Sequence, residues 1–139
     1  MSQENVDILG QALAAAPGDP RPLFAILDEE VEWDYVGAFP ESKTYRGPDA
    51  VREFFLQWSG AFEDFDLEAE EVIDAGDSVL VLLHQWGHGK ETGAQVENRT
   101  WQVFTFRGGK VIHCRGYGTK GEALKAVGLS ERDGHGDGS

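Results

Sequence analysis

The sequence predicts an α+β fold in which helices cover one face of a curved antiparallel sheet. Apolar residues recur at helical spacing in most of the first 60 residues, and they alternate with period two from Phe65 to Tyr117. Helices followed by a run of strands indicate an α+β layout, because a parallel α/β sheet needs a helix after every strand. A sheet covered in this way encloses a cavity, so we look for function among the polar groups of the strands.

Three helices are predicted before the run of strands. Ser2 can cap the first, which ends at Pro17-Gly18-Asp19, and a second short helix follows from Pro20. The third opens at Pro48 and carries the strongest helical stripe, with apolar residues at positions i, i+3, i+4 and i+7. These residues are Val51, Phe54, Phe55 and Trp58.

Five strands follow from the alternation of polar and apolar residues. The first runs from Glu30 to Val36 and is separated from the third helix by a turn-rich loop, Ala38 to Gly47. The others are Leu67 to Ile73, Val79 to His88, Val96 to Arg107 and Val111 to Tyr117. A last short helix spans Glu122 to Val127. We interpret residues 1–130 as a single domain and residues 131–139, rich in Gly and Asp, as a disordered tail.

Composition excludes several classes of partner. The chain has 25 acidic against 12 basic residues, and a formal charge of -13 repels nucleic acid and anionic membrane surfaces. No apolar run approaches the roughly 20 residues that a membrane helix requires. The single cysteine, Cys114, cannot form an intramolecular disulfide, which is compatible with a reducing compartment. We therefore predict a cytoplasmic protein.

The strand from Val79 to His88 carries polar groups that packing alone does not require. His84, Trp86 and His88 share a face with Leu80 and Leu82, because side chains alternate along a strand. This face is the predicted wall of a pocket. His84 is a candidate acid/base, since an imidazole titrates near neutral pH, and the alternative is a core histidine bonded to a neighbour.

Five short segments of the chain together form a recognisable pattern. They are the helix end at Pro17-Gly18-Asp19, the segment Leu27 to Trp33, the segment Tyr45 to Val51 leading into Phe54-Phe55, the turn Asp74 to Asp77 and the segment Phe106 to Val111. With these segments the chain resembles the nuclear transport factor two-like superfamily, and within it the SnoaL-like and ketosteroid isomerase-like proteins. The resemblance implies a cone-shaped, cystatin-like roll. It also implies a homodimer formed through the outer sheet face, where Trp101 and Val103 would contact the partner.

The resemblance also suggests roles for single residues. In ketosteroid isomerase-like members an Asp of the first strand moves the proton, while a Tyr and a protonated Asp hold the enolate oxygen. Asp34 matches the base, but Gln11 and Gln102 stand where the other two would be. Glutamines are poorer donors, which argues against steroid isomerase activity. Asp34 would act as a base if burial raised its pKa; the alternative is a solvated carboxylate, since Trp33 points inward.

The remaining site predictions concern the pocket lining and metals. The residues expected to line the pocket are Trp33, Tyr35, Phe54, Trp58, Trp86, Gln102, Phe104 and Tyr117. In the usual register of the last strand, Cys114 and Gly116 face the cavity and Tyr117 faces outward; a bulge would reverse this. We predict no metal site, because His84 and His88 lie roughly 13 Å apart along a strand.

Two functional interpretations remain open. The first is a cofactor-independent isomerase, cyclase or hydrolase that uses His84 and Asp34 for general acid/base catalysis on a small apolar or carbonyl-containing ligand. The second is a non-catalytic ligand-binding protein or dimeric partner protein. An ionisable side chain in contact with the cavity would favour the first interpretation.

Overall fold

A computed structural model describes residues 2–35 and 43–130 of the chain. The predicted end of the first strand at Val36, residues 38–42 of the predicted loop after it and the predicted tail at 131–139 lie outside the described residues. The side chain of Tyr35 lies outside them as well.

The described residues form four helices and six strands. In chain order they are α1 (Ser2–Ala15), α2 (Arg21–Ala25), β1 (Leu27–Tyr35), β2 (Lys43–Arg46), α3 (Pro48–Gly60), β3 (Asp66–Ala75), β4 (Ser78–His88), β5 (Gln95–Arg107), β6 (Lys110–Tyr117) and α4 (Lys120–Ala126). None of these helices is both long enough and apolar enough to cross a membrane.

All six strands belong to one curved, unclosed sheet in the order β2-β1-β6-β5-β4-β3. The predicted α+β class is confirmed, but the sheet is mixed, because β1 pairs parallel with β6. Strand β2 was not predicted; it lies in the predicted loop. Its residues, Lys-Thr-Tyr-Arg, are too polar and too few to show an alternating pattern.

The inner face of the sheet carries the main core under α1, α2 and α3. In β4, Val79, Val81 and Leu83 point to this side and are buried with Leu9 and Leu13 of α1. Burying each of these side chains stabilises the fold by about 1.5–3 kcal/mol. In this packing α1 lies over β3 and β4, and α3 lies over β1 and β2.

The outer face is covered at one end by α4. Leu124 of this helix packs against Leu80, Trp101 and Val103 in a second cluster. Thr119 caps the helix by accepting a hydrogen bond from the backbone N–H of Glu122 at 3.2 Å. Trp101 and Val103 are therefore only 6% and 5% exposed. A partner subunit could not reach these two residues without displacing α4, which corrects their expected role as dimer contacts.

A bulge in β3 affects which side chains point outward. Ala69 pairs with Leu83 and Glu71 pairs with Leu82, so Glu70 is an extra residue without a direct partner on β4. Leu67 and Ala69 pack with the inner core. The side chain of Glu70 reaches the outer face, where it contacts Arg99 of β5.

Candidate functional site

A cavity lies between the inner face of the sheet and the helices. Its volume is about 40 Å³, enough for a few waters. Apolar and aromatic side chains form most of its wall, and two glutamines supply the polar atoms. The lining residues are Leu13, Leu23, Trp33, Phe54, Phe55, Trp58, Leu67, Leu83, Gln85, Gln102 and Phe104.

Other depressions on the surface are larger but do not enclose a ligand. One of about 570 Å³ is bordered by Glu4, Asp77 and Arg107 and is open to solvent. Ligand sites are usually concave and mainly apolar, with a few polar groups that fix orientation. The small interior cavity meets this description better than the larger grooves do.

Aromatic rings from α3 and the sheet form the upper part of the cavity. Phe55 meets Phe24 edge-on at a centroid distance of 5.9 Å, and Trp33 meets Phe104 edge-on at 5.7 Å. Such pairs add about 0.5–1.5 kcal/mol to simple burial. Trp58 is half-buried, as are Phe54 and Phe55, because α3 lies at the rim of the helical layer.

Hydrogen bonds orient the two glutamine amides. The indole Nε1–H of Trp58 donates to Gln85 Oε1 at 2.8 Å, which joins α3 to β4. Gln102 donates from Nε2 to Thr100 Oγ1 at 3.1 Å. An amide NH2 carries two donors, so Gln102 has a second N–H for a ligand.

Cys114 of β6 contacts the amide of Gln102. Its thiol donates to Gln102 Oε1 at a distance of 3.3 Å. Burial, with a smaller effect from the charge of Asp34, raises the pKa of the thiol well above its ordinary value. Cys114 therefore stays protonated and acts as a donor, which turns the amide NH2 of Gln102 away from it.

Asn98 is a further polar residue of β5, on the same face as Thr100 and Gln102. It pairs across the sheet with Gln85, and its side chain is on the inner face. Its Oδ1 is buried and has no hydrogen-bond partner among the described residues. A buried acceptor left in this state costs about 1–3 kcal/mol, so a donor from a ligand would stabilise it.

The structure divides the sequence-predicted site residues between the two faces of the sheet. Around the cavity it places Trp33, Phe54, Trp58, Gln102 and Phe104. On the outer face it places His84, Trp86 and Tyr117. The expected face of β4 is thus corrected: Leu83 and Gln85 look into the cavity, and side chains alternate, so His84 and Trp86 look away from it.

His84 lies in a charged cluster on the outer face. Its Nε2 is 2.5 Å from Glu97 Oε2, and its Nδ1 is 3.4 Å from Glu70 Oε2. Its side chain is only 12% exposed, and its ring packs against Trp86 with a centroid distance of 4.4 Å. Glu70 is held in turn by Arg99 at 2.8 Å.

Asp34 is also on the outer face, between β2 and β6. It accepts hydrogen bonds from Thr44 Oγ1 at 2.6 Å and from His113 Nε2 at 2.8 Å, and Arg115 lies 3.9 Å away. Burial raises the pKa of Asp34, but the two hydrogen bonds and the charges of His113 and Arg115 outweigh it, so the pKa falls below its ordinary value. The condition set for Asp34 as a base, a pKa raised by burial, is therefore not met, and its catalytic role stays a prediction.

Three potential ligands for a metal ion come together in the His84 cluster. One ligand atom each from Glu68, Glu70 and His84 lies within 4.8 Å of the others. These three residues were not predicted as a group, because the spacing of histidines along one strand does not show what a neighbouring strand contributes. The sequence feature that could have indicated this group is the run of acidic residues in β3, the strand that pairs with β4 at His84.

Comparisons with known proteins agree with the fold. Residues 11–114 match the family model described as "SnoaL-like domain". Bal32a, from a soil-derived mobile gene cassette, is 22% identical with a TM-score of 0.74, over 84% of this chain and 89% of that chain. A protein from Jannaschia sp., provisionally named SnoaL-like polyketide cyclase, is 17% identical with a TM-score of 0.72, over 83% and 85%.

A further solved structure, an NTF2-like protein from Burkholderia xenovorans, is 29% identical with a TM-score of 0.66. It covers 91% of this chain and 98% of that chain. No curated protein matches the sequence.

Proposed function

The chain belongs to the SnoaL-like domain family, and we propose that its interior cavity binds a small uncharged ligand with a flat apolar body and a carbonyl oxygen. The observation that carries this proposal is the composition of the cavity wall. Nine of the eleven lining residues are apolar or aromatic, and the other two are glutamines. None of these described residues is ionisable.

The wall favours an uncharged ligand for an energetic reason. Burying a charge without a partner costs far more than burying a neutral polar group. The formal charge of -13 adds a field that disfavours anions in particular. A neutral ligand avoids both costs and gains from contact with the aromatic rings.

The amides favour a carbonyl group on that ligand. Gln102 keeps one N–H after bonding to Thr100, and Gln85 accepts from Trp58 with its oxygen, so its NH2 group remains as a donor. Each such hydrogen bond adds about 0.5–1.5 kcal/mol in a dry site.

The cavity must enlarge when it is occupied. Ligand pockets usually measure about 300–1,000 Å³, well above the 40 Å³ found here. Helix α3 is the element that can move, because Val51 is its one buried residue and Leu56 is 48% exposed. We therefore place the opening at Phe54 and Trp58, where displacement breaks the Trp58–Gln85 hydrogen bond.

The fold neighbours support a ligand of this kind. The Jannaschia protein carries the name of a polyketide cyclase, and polyketides contain carbonyl groups on carbon frameworks. Catalysis by His84 or Asp34 stays a prediction. Both residues are on the opposite side of the sheet from the cavity, so the geometry supports ligand binding more directly than acid/base chemistry there.

The test compares acetophenone with ethylbenzene, which has the same ring and two-carbon side chain but lacks the carbonyl oxygen. We expect acetophenone to bind more tightly by about 0.5–1.5 kcal/mol. Nuclear magnetic resonance of the four tryptophan indole N–H groups locates the site, because Trp33 and Trp58 line the cavity while Trp86 and Trp101 do not. The first two signals should move.

A matched pair of variants supplies the control. Trp58→Phe removes the donor to Gln85 and should change acetophenone affinity, whereas Trp86→Phe on the outer face should leave it unchanged. The proposal fails if neither compound shifts the signals of Trp33 and Trp58, or if both compounds bind equally well.

A further inference from the structure

We propose that Glu68, Glu70 and His84 form a divalent-metal site for a zinc-like ion on the outer face of the sheet. The site is separate from the cavity, because His84 and the cavity-lining Gln85 point to opposite faces of β4. Zn²⁺ binds to imidazole nitrogen and to carboxylate oxygen, and open zinc sites use three protein ligands.

The spacing of the ligand atoms fits a shared ion. His84 Nδ1 and Glu70 Oε2 are 3.4 Å apart, which is longer than an ordinary N–H···O hydrogen bond. Two bonds of about 2.0–2.1 Å that meet at a tetrahedral angle place their ligand atoms about 3.4 Å apart. Glu68 brings its carboxylate within 4.8 Å of both atoms and, being exposed, can turn to close the set.

The imidazole is already oriented for such a role. His84 Nε2 is 2.5 Å from Glu97 Oε2, and Nδ1 faces Glu70. In the tautomer that donates from Nε2 to Glu97, Nδ1 has its lone pair available for a metal ion. Metal-binding histidines usually donate their second nitrogen to a carboxylate in this way. The ring is also fixed by stacking on Trp86.

Arg99 acts as a positioning residue. Its Nε and Nη2 atoms donate to the two oxygens of Glu70 at 2.8 and 3.3 Å, which fixes the carboxylate at the bulge of β3. Ligating carboxylates are commonly held by such outer contacts. The alternative is a plain ion-pair network, in which Arg99 and His84 neutralise Glu70 and Glu97 and no metal binds.

The two alternatives differ in the response to Zn²⁺. Isothermal titration calorimetry of the full chain with Zn²⁺ should give one site that is lost in His84→Gln and in Glu68→Gln. Glu97→Gln should weaken binding by about 10–100-fold, as expected for a residue that orients a ligand. Glu68 is exposed and makes none of the hydrogen bonds above, so its replacement should leave the thermal unfolding midpoint of the metal-free protein unchanged.

A second histidine of β4 provides a matched control. His88 is held by Asp64 at 2.8 Å in an exposed pair, and among the described residues no third ligand joins this pair. His88→Gln should therefore bind Zn²⁺ as the unchanged protein does. Mg²⁺ should not compete, because it prefers six oxygen ligands.

Three results would overturn the proposal: no stoichiometric Zn²⁺ binding, equal loss in His84→Gln and His88→Gln, or equal competition by Mg²⁺. The last would indicate general attraction of cations to an acidic chain. None of these results bears on acetophenone binding in the cavity, so the two proposals stand or fall separately.

Discussion

Replacing Leu83 by Ala should enlarge the cavity and strengthen ligand binding while it weakens the fold. Leu83 lies on the cavity wall and is 7% exposed. Its truncation removes three carbons, worth about 0.8 kcal/mol each, so roughly 2.4 kcal/mol of apolar burial is lost. The incomplete collapse of the surroundings adds to this, and we expect the free energy of unfolding to fall by about 2–5 kcal/mol.

Acetophenone can regain part of this loss by filling the new space. If it recovers about 1.4 kcal/mol of the apolar burial, its affinity rises about tenfold. Ligand binding then also raises the unfolding midpoint of the variant by mass action. Urea unfolding followed by circular dichroism gives the stability, and titration of the Trp58 indole signal gives the affinity.

Leu80→Ala is the matched control for this experiment. Leu80 is on the same strand and is fully buried, but it packs against α4 on the outer face. The variant should lose stability by a similar amount, about 2–5 kcal/mol, without any gain in acetophenone affinity. Equal gains in both variants, or none in Leu83→Ala, would refute the assigned direction of β4 or the place of the cavity.

Three further predictions concern the outer face and the assembly. Asp34→Asn should destabilise the protein by about 1–3 kcal/mol at neutral pH. Because the pKa of Asp34 is lowered in the folded state, this difference in stability should persist above the ordinary carboxyl pKa and vanish as pH falls through the folded pKa. Urea unfolding at several pH values measures it. Thr119→Ala should lower the free energy of unfolding by about 0.5–2 kcal/mol, because the cap of α4 is lost. It should also increase the quenching of Trp101 fluorescence by acrylamide, because α4 covers Trp101. Unchanged quenching would contradict the role of α4 as a cover. The family resemblance predicts a homodimer, so sedimentation should give twice the 15.3 kDa chain mass, and a species of 15.3 kDa would refute it.

Most of the fold could be predicted from the sequence because its strongest elements have a clear period. The stripe from Val51 to Trp58 became α3, and the four alternating segments after Phe65 became β3 to β6. Turn residues such as Gly76, which has a positive φ of 80°, marked the connections. The parallel pairing of β1 with β6 could not be predicted, since it joins two segments far apart in the chain.

The direction of β4 was the main error about the site, and it has a physical cause. Both faces of β4 are apolar in its first half, because α1 covers Val81 while α4 covers Leu80. The alternation therefore shows that a strand is present but does not say which face meets the cavity. The predicted helix after the last strand was the missing clue, since Leu124 needs an apolar surface to cover.

The alternation of β4 also separates two chemically different environments by the thickness of one strand. Gln85 meets a neutral, mainly apolar cavity, while its neighbours His84 and Trp86 meet a cluster of carboxylates. A positive charge among the carboxylates is partly solvated and is paired with them. The same charge in the cavity would be neither solvated nor paired. On our two proposals, one face of the sheet would hold a cation while the other offers a neutral surface to a ligand.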